Sequence, residues 1–510
     1  MALQGAGEGF IVAQGRFPDE SLYAGEPVDL AEGLTVSVRT TEMIAPEGMV
    51  GMAADREVPA DADWSVKGPT FKAALELILG SAKPRTLLKV APAATTPVWR
   101  PDKKYDDMHY PDADYRLLAL FRFWNVIHYF YPYQHLLDDD WDTILPRFIP
   151  IFEAAHDARD YELAVAELAT YLRDGLTGVT GPELTKFFGE APVPIQLRLV
   201  EKVPVVSRLL DEAIAKEAGV QIGDVVESVD GEPVEARMKR LGKYIPSSTP
   251  QWHQFVVVNR MLLGREGSAV KIGLRDGNHK LKEDAFTRTK KYSPMMPIGP
   301  ASGAFRILPG NIGYVDFERL PTAQVDAMLE AFKGTRSMIL DLRNFPLGSA
   351  WALAPRLNVK GARYGTLYYR PVLDGFLEVD HAHPEDNGRI AFYQILEKTD
   401  KWKYQGRTVT LIDERNIGSY EFYGLYFEAA CDTTFIGSPT AGADGDMSNF
   451  VLPGGLSVWF PGHDVRHVDG RQTERIGLVP HIEVRPTIQG IRENRDEVLE
   501  RAIKFLKEGK

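Results

Sequence analysis

The chain has 510 residues, too many for one hydrophobic core, so two or three domains of ordinary size are expected. Its composition, 44% hydrophobic and 25% charged, is that of a globular protein. No apolar run reaches the roughly 18 residues of a membrane span, and the start, Met1-Ala-Leu-Gln-Gly-Ala-Gly-Glu-Gly, has no basic region leading into an apolar one, so a cytoplasmic protein or an already trimmed form is expected. A formal charge of -12 argues against nucleic-acid partners, and the single cysteine, Cys431, excludes an internal disulfide and a thiol metal cage.

In chain order, the amino-terminal residues carry short β-type runs, Phe10-Ile-Val-Ala-Gln, Ala31-Glu-Gly-Leu-Thr-Val and Arg56-Glu-Val-Pro, and then a helix-forming stretch after Lys67-Gly-Pro. Residues 83–104, with Pro84, Pro92, Pro97 and Pro101, read as a linker. From Tyr110 to Tyr171 apolar residues recur at three and four, which predicts a helical domain over 105–190 with breaks at Pro132 and Pro146. His128 lies among aromatics there and reads as a packed core histidine.

Over 191–288 the character changes to strands, one short helix and Gly-Asp turns. Val203-Pro-Val-Val-Ser predicts a strand, Asp211 to Gly219 a helix with a glycine stop, and Ile222-Gly-Asp-Val-Val-Glu-Ser-Val-Asp-Gly-Glu-Pro-Val a strand with a tight Asp-Gly turn. That last phrase resembles the signature of PDZ domains. These take an extended peptide as an added strand, so the resemblance implies a polypeptide partner held near Val203, Val205 and Val206. The alternative is a scaffolding insert whose groove is filled by its own chain.

Residues 289–510 read as an α/β domain: strands at Ile312-Gly-Tyr-Val-Asp-Phe, Ser337-Met-Ile-Leu-Asp-Leu-Arg and Thr408-Val-Thr-Leu-Ile-Asp alternate with helices over Thr322–Lys333 and Ala350–Leu357. Cys431 closes an apolar helical stretch and reads as a small core residue. The end of the chain runs Phe435-Ile-Gly-Ser-Pro, Pro453-Gly-Gly-Leu-Ser-Val, Val468-Asp-Gly, Ile482-Glu-Val-Arg-Pro and then a helix from Asn494. Residues 1–82 repeat this order, so they read as a partial duplicate of the carboxyl-terminal half of the α/β domain. A half domain leaves strand edges and apolar surface open, so it should pack on the rest of the chain or on a second copy in a homo-oligomer.

Leu172-Arg-Asp-Gly-Leu-Thr-Gly-Val, the PDZ-like insert, Gly313-Tyr-Val-Asp-Phe, Ile339-Leu-Asp-Leu-Arg-Asn-Phe-Pro-Leu-Gly, Thr440-Ala-Gly-Ala-Asp-Gly, Pro453-Gly-Gly and Gly477-Leu-Val-Pro stand in the order seen in another group of proteins. Over roughly 105–508 the chain resembles the tricorn-like and C-terminal-processing serine peptidases. The resemblance implies a ClpP/crotonase-like α/β peptidase core with an amino-terminal helical segment and an inserted PDZ-like domain, peptide-bond hydrolysis as the ancestral reaction, and no cofactor. Such an enzyme needs a serine on a sharp strand-to-helix turn, a histidine or lysine in hydrogen-bond reach, and backbone donors for the oxyanion.

Family positions carried onto this chain are altered. The pattern Thr-x-Ser-x-x-Glu falls on Asn416-Ile-Gly-Ser-Tyr-Glu, so Glu421 anchors it and Gly418 takes the serine position. Leu176 stands where the histidine branch has its base, and Ala443 where the lysine branch has its lysine. Glu474 falls where the tricorn branch keeps a glutamate behind its histidine, and Gly348 with the amide of Ser419 match the oxyanion donors. Two readings follow. Either Ser419 replaces the lost serine, which a turn of about 100° per helical residue disfavours, or the scaffold persists as a peptide-binding pseudoenzyme. A further reading, metal-dependent hydrolysis at His381 and His383 with Glu378, Asp380 and Glu385, or at His463 and His467, lacks a helical His-Glu-x-x-His pattern; no metal site is predicted.

Overall fold

The computed structural model of the chain describes residues 12–14, 23–31, 34–42, 56–58, 69–80, 103–105, 107–292, 303–343, 346–371 and 389–509. The chain divides into two units, Met1–Pro101 and Asp102–Lys510. The first contains strand β1 (Val12–Gln14), a hairpin of β2 (Tyr23–Ala31) and β3 (Leu34–Glu42), strand β4 (Arg56–Val58) parallel to β1, and helix α1 (Pro69–Leu79). Most of the stretch read as a linker lies outside the described residues.

The second unit opens with helices α2 (Ala113–Phe130), α3 (Trp141–Glu153) and α4 (Ala158–Thr170). Each starts on an aspartate, Asp112, Asp140 and Asp157, whose side chain accepts a backbone N–H of the first turn, a cap worth about 1 kcal/mol. Pro146 does not break the helices as the sequence suggested: it lies inside α3 with Pro150. The helix persists because Trp141, Ile144, Phe148 and Phe152 bury one continuous face, and the break falls at 131–140 instead. His128 is half-exposed and stacks on Trp124, with centroids 4.7 Å apart, outside the core. Strand β5 (Gly178–Thr180) and helix α5 (Pro182–Phe188) follow.

The next elements form a sheet of their own: β6 (Ile195–Val200), β7 (Val203–Leu209), α6 (Glu212–Glu217), β8 (Val225–Val229), β9 (Glu232–Pro233), α7 (Val234–Gly242), α8 (Pro250–Arg260), β10 (Ala269–Arg275) and β11 (Leu281–Thr287). The strand order is β11-β10-β8-β7-β6, with β9 paired to β8, so β6 is an edge. Between β8 and β9, Asp230 and Gly231 both have positive φ, 51° and 78°, as the tight turn read from Asp-Gly requires. Val206, Val226, Val229 and Ile272 of the sheet bury against Val257 and Val258 of α8.

The remaining chain builds β12 (Phe305–Leu308), β13 (Ile312–Asp316), α9 (Val325–Ala331), β14 (Ser337–Asp341), α10 (Ala350–Leu357), β15 (Tyr364–Pro371), β16 (Arg389–Ile395), β17 (Arg407–Ile412), α11 (Ser419–Cys431), β18 (Thr434–Gly437), β19 (Met447–Leu452), β20 (Leu456–Pro461), β21 (Asp464–Arg466), β22 (Ile482–Glu483), α12 (Ile488–Arg492) and α13 (Glu497–Glu508). Its central sheet runs β12-β13-β14-β17-β18-β22, parallel from β13 onward. Both faces are covered. Leu340 and Val315 face α9, α10 and α11, whereas Ile339, Tyr314 and Val409 face Val498, Ala502 and Phe505 of α13. Double coverage explains why β14 reads as an unbroken apolar run.

The helical layer is not a separate domain, because Phe123, Phe148 and Phe152 share one core with Phe450, Leu452, Val458 and Phe460 of the β19–β20 hairpin, and β5 pairs with β20. Strand β18, the hairpin, strand β22 parallel to β18, and helix α13 stand in the same order as the elements of the first unit. No described helix is long and apolar enough to cross a membrane. The architecture is multidomain α/β.

Candidate active site

Strands β14 and β17 are parallel neighbours, so their following loops leave the same edge of the sheet, where open α/β sheets place their ligands. After β17 the chain turns sharply into α11. Asn416 holds the turn: its Oδ1 accepts the Asp413 amide at 2.7 Å, and its Nδ2 donates to the carbonyl of Leu342 beyond β14. Gly418 at the tip has φ 56° and ψ −120°, a conformation that costs a residue with a side chain about 1–3 kcal/mol and that marks nucleophile elbows on strand-to-helix turns. An ideal Cβ there meets one neighbour within 4 Å, Cδ2 of Leu176 at 3.7 Å.

Leu176 lies between α4 and β5, where its amide donates to Asp174 Oδ1 at 2.7 Å and the neighbouring Gly175 amide donates to Ser248 Oγ at 2.7 Å. Ala443 closes the third side: its carbonyl accepts the Gly418 amide at 2.8 Å, and its Cβ lies 3.3 Å from an ideal Cβ on Gly175. Positions 418, 176 and 443 therefore converge on one spot, occupied by a glycine, a leucine and an alanine.

Ser419 is the first residue of α11, with Gly418 as the N-cap; it is exposed, and its hydroxyl has no hydrogen-bond partner among the described residues. Glu421, one turn on, is buried and accepts from Thr440 Oγ1, from the Gly442 amide at 2.7 Å and from the Ala443 amide at 2.9 Å, which fastens α11 to the glycine-rich loop. Burial pushes its carboxyl up to about 7. Gly348, after β14, bridges to Pro321 in the segment after β13.

Beneath these residues is a layer of buried acids. Burial raises Asp174 to about 6, against the hydrogen bonds from the Leu176 amide and the Tyr131 hydroxyl. Glu474 is held well above the carboxylate range by burial and by the Asp174 charge, and neither of its oxygens has a well-formed hydrogen bond; the Ser248 hydroxyl is the group favouring ionisation. Asp444 is raised by burial and by Glu421, with Oδ2 unpartnered. No described histidine or lysine forms a hydrogen bond or ion pair with any of the four. The arrangement raises these acids but offers no paired hydroxyl and base at the elbow among the described residues.

Other predicted residues are placed elsewhere. Val205 and Val206 are wholly buried in β7, whose backbone is bonded to β6 on one side and to the β8 segment on the other, and Val203 is half-buried on the same strand. An interior strand has no free donors, so an added strand can join only an edge, β6 or β11; of these, β6 faces α8 across a cleft of about 720 Å³ lined by Leu199, Val200, Gln251, Gln254 and Phe255. His381 and His383, with their acidic neighbours, lie outside the described residues. His463 and His467 flank strand β21, so they do not share a helix face; His463 packs edge-on to Tyr368, and His467 Nδ1 pairs with Glu428 Oε2 at 2.5 Å. Among the described residues no group of three or more such side chains is arranged to hold a metal. Burial pushes the Cys431 thiol up to about 11, far from a thiolate.

Sequence reasoning missed Arg198. It reaches from β6 to the start of the elbow, bonding Glu414 at 2.7 and 3.0 Å and Asp413 at 3.1 Å. Burial opposes ionisation of Asp413, yet Arg415 and Arg198 hold it well below the usual carboxylate range. The signal was a lone cation in an otherwise uncharged strand, Ile195-Gln-Leu-Arg-Leu-Val.

A comparison with curated proteins found no match. Among solved structures the chain is similar to mature CPAF complexed with lactacystin, with TM-score 0.59 and 15% identity over 78% of this chain and 98% of that one. It is similar to a second crystal structure of mature CPAF at TM-score 0.58 and 14% identity, over 78% and 97%. It also matches the photosystem II D1 C-terminal processing protease at TM-score 0.43 and 16% identity, over 72% and 92%. Residues 311–484 match the family model "Peptidase family S41".

Proposed function

We propose that this chain holds extended polypeptide on a serine-peptidase scaffold and cleaves it weakly or not at all. The observation that carries the reading is the elbow: a glycine stands at its tip, and the side chain facing that tip is Leu176, which can take no proton. Ser419 does not replace the missing hydroxyl in this reading, because it is exposed and without a base, and an unassisted hydroxyl is a poor nucleophile near neutral pH. The inserted sheet acts as the PDZ-like module, with a peptide adding to β6 and its side chains entering the cleft toward Phe255.

A fluorophosphonate probe should label the protein poorly, and Ser419→Ala should leave any residual peptidase activity unchanged. A fluorescent peptide should bind, read by anisotropy, and be recovered intact by mass spectrometry. Strong labelling that Ser419→Ala abolishes, or steady loss of the peptide, sinks the proposal.

A further inference from the structure

Helix α8 has two working faces. Gln251, Gln254 and Phe255 line the cleft toward β6, whereas Trp252, Val256 and Arg260 line a separate cavity of about 400 Å³ on the opposite side. The second cavity is closed by Phe188 of α5, by Trp459 of β20 and by the 175–180 turn, and its size is within the range of small-molecule sites.

Four of its polar groups, on Arg260, Thr177, Trp252 and Trp459, have no hydrogen-bond partner among the described residues. Arg260 has no ion pair or hydrogen bond among the described residues; its guanidinium stacks on Phe188, 4.7 Å from the ring centroid. The hydroxyl of Thr177 is buried and unpartnered. Both indoles, of Trp252 and of Trp459, are half-buried, and neither N–H has an acceptor among the described residues. The two indoles are seated on glycines: an ideal Cβ would lie 2.7 Å from Trp252 Nε1 at Gly175 and 2.7 Å from Trp459 Nε1 at Gly178. Any larger residue at either position would displace a ring, so the turn Gly175-Leu-Thr-Gly is shaped to admit both.

We infer that this cavity binds a small monocarboxylate with an apolar, aromatic body, its carboxylate on Arg260 and its body between the indoles. A guanidinium presents two parallel N–H donors that match a carboxylate, and aromatic walls favour a flat apolar body. One cation, with Glu190 at the rim already paired to Lys290 at 2.7 Å, suits a single negative charge better than a phosphate dianion. Burial lowers the Arg260 pKa with no nearby acid to offset it, as for a cation waiting for its counter-charge.

The test titrates the full chain with phenylacetate and with its uncharged analogue phenylethanol, by calorimetry and by tryptophan fluorescence. Phenylacetate should bind saturably and phenylethanol at least about tenfold more weakly, the worth of a charge-assisted hydrogen bond. Arg260→Gln should weaken phenylacetate at least about tenfold and leave phenylethanol unchanged, with Arg260→Lys between. Trp459→Phe keeps a ring against Gly178 and removes one donor; it should weaken phenylacetate severalfold, and it carries the test if Arg260→Gln fails to fold by circular dichroism. Short peptides ending in phenylalanine, with free or amidated termini, separate the sources: tighter binding than phenylacetate that amidation abolishes assigns the site to a peptide terminus, and indifference to both assigns it to a free acid. No saturable binding by the wild-type chain, equal binding of acid and alcohol, or affinity unmoved by both substitutions overturns the inference.

Discussion

Restoring a side chain at the elbow tests the reading of its geometry directly. Gly418→Ser adds a Cβ that meets only Leu176, at 3.7 Å, which is ordinary van der Waals contact; its cost is therefore conformational, about 1–3 kcal/mol for a side chain at φ 56° and ψ −120°. Thermal unfolding should fall by a few degrees without loss of the fold. The serine alone still faces a leucine, so fluorophosphonate labelling should stay slow. Adding Leu176→His puts an imidazole where the leucine now touches that Cβ, with Asp174 two residues away and already bonded to the amide of position 176. A positioned general base contributes about 10²–10⁴-fold, so the double variant should label at least about 10²-fold faster than Gly418→Ser. The assay is the second-order labelling rate by gel fluorescence, with circular dichroism as the check on folding. If the folded double variant labels no faster than the serine variant, or the wild-type chain already labels as fast, the geometric argument fails.

Two further expectations concern stability. Asp174, raised by burial to about 6, and Glu421, raised by burial to about 7, both hold protons more tightly folded than unfolded; the stability they give is full below about pH 4 and is lost as pH rises through 6 and 7. The loss is about 3 kcal/mol per group, so urea unfolding should show stability falling over that window, and Asp174→Asn should flatten the part near pH 6; a flat wild-type profile would contradict it. Arg198→Ala leaves Asp413 buried without one of its counter-charges and should cost about 3 kcal/mol in the same assay, with earlier proteolysis in the inserted sheet; a change within 0.5 kcal/mol, about what a surface substitution gives, would mean the tie is ornamental.

What the sequence disclosed follows from which interactions are local. Helix α10 was legible to the residue and strand β14 from its first residue, though read two residues too long, because a strand covered on both faces must be apolar throughout and a short helix shows its period within two turns. The start of α11 carries no capping signal, because Gly418 caps the helix with no side chain at all. The choice of β7 over β6 for an added strand failed for a deeper reason: both strands are rich in valine and leucine, and only the pairing order tells an edge from an interior. Arg198 marks the difference physically, since its charge is kept near the surface of the sheet by acids more than two hundred residues away.

The buried acids were the least legible feature. Asp174, Glu421, Asp444 and Glu474 come from four separated segments; the family resemblance marked Glu421 and Glu474 by position, but nothing local to any of the four marks it as buried. Their shifts come mainly from burial, which is a property of the assembled core. A bare elbow and a floor of acids shifted upward bear on the same point. A serine–histidine pair works by placing a developing cation over a carboxylate, and that carboxylate gains its low pKa from the cation. With leucine in place of the imidazole no such cation forms, and a buried acid there is expected to be raised, the direction in which burial and the Asp174 charge move Glu474. The raised carboxyls are then the electrostatic counterpart of the missing base, and an imidazole restored at 176 should pull Glu474 or Asp174 back toward the ionised state.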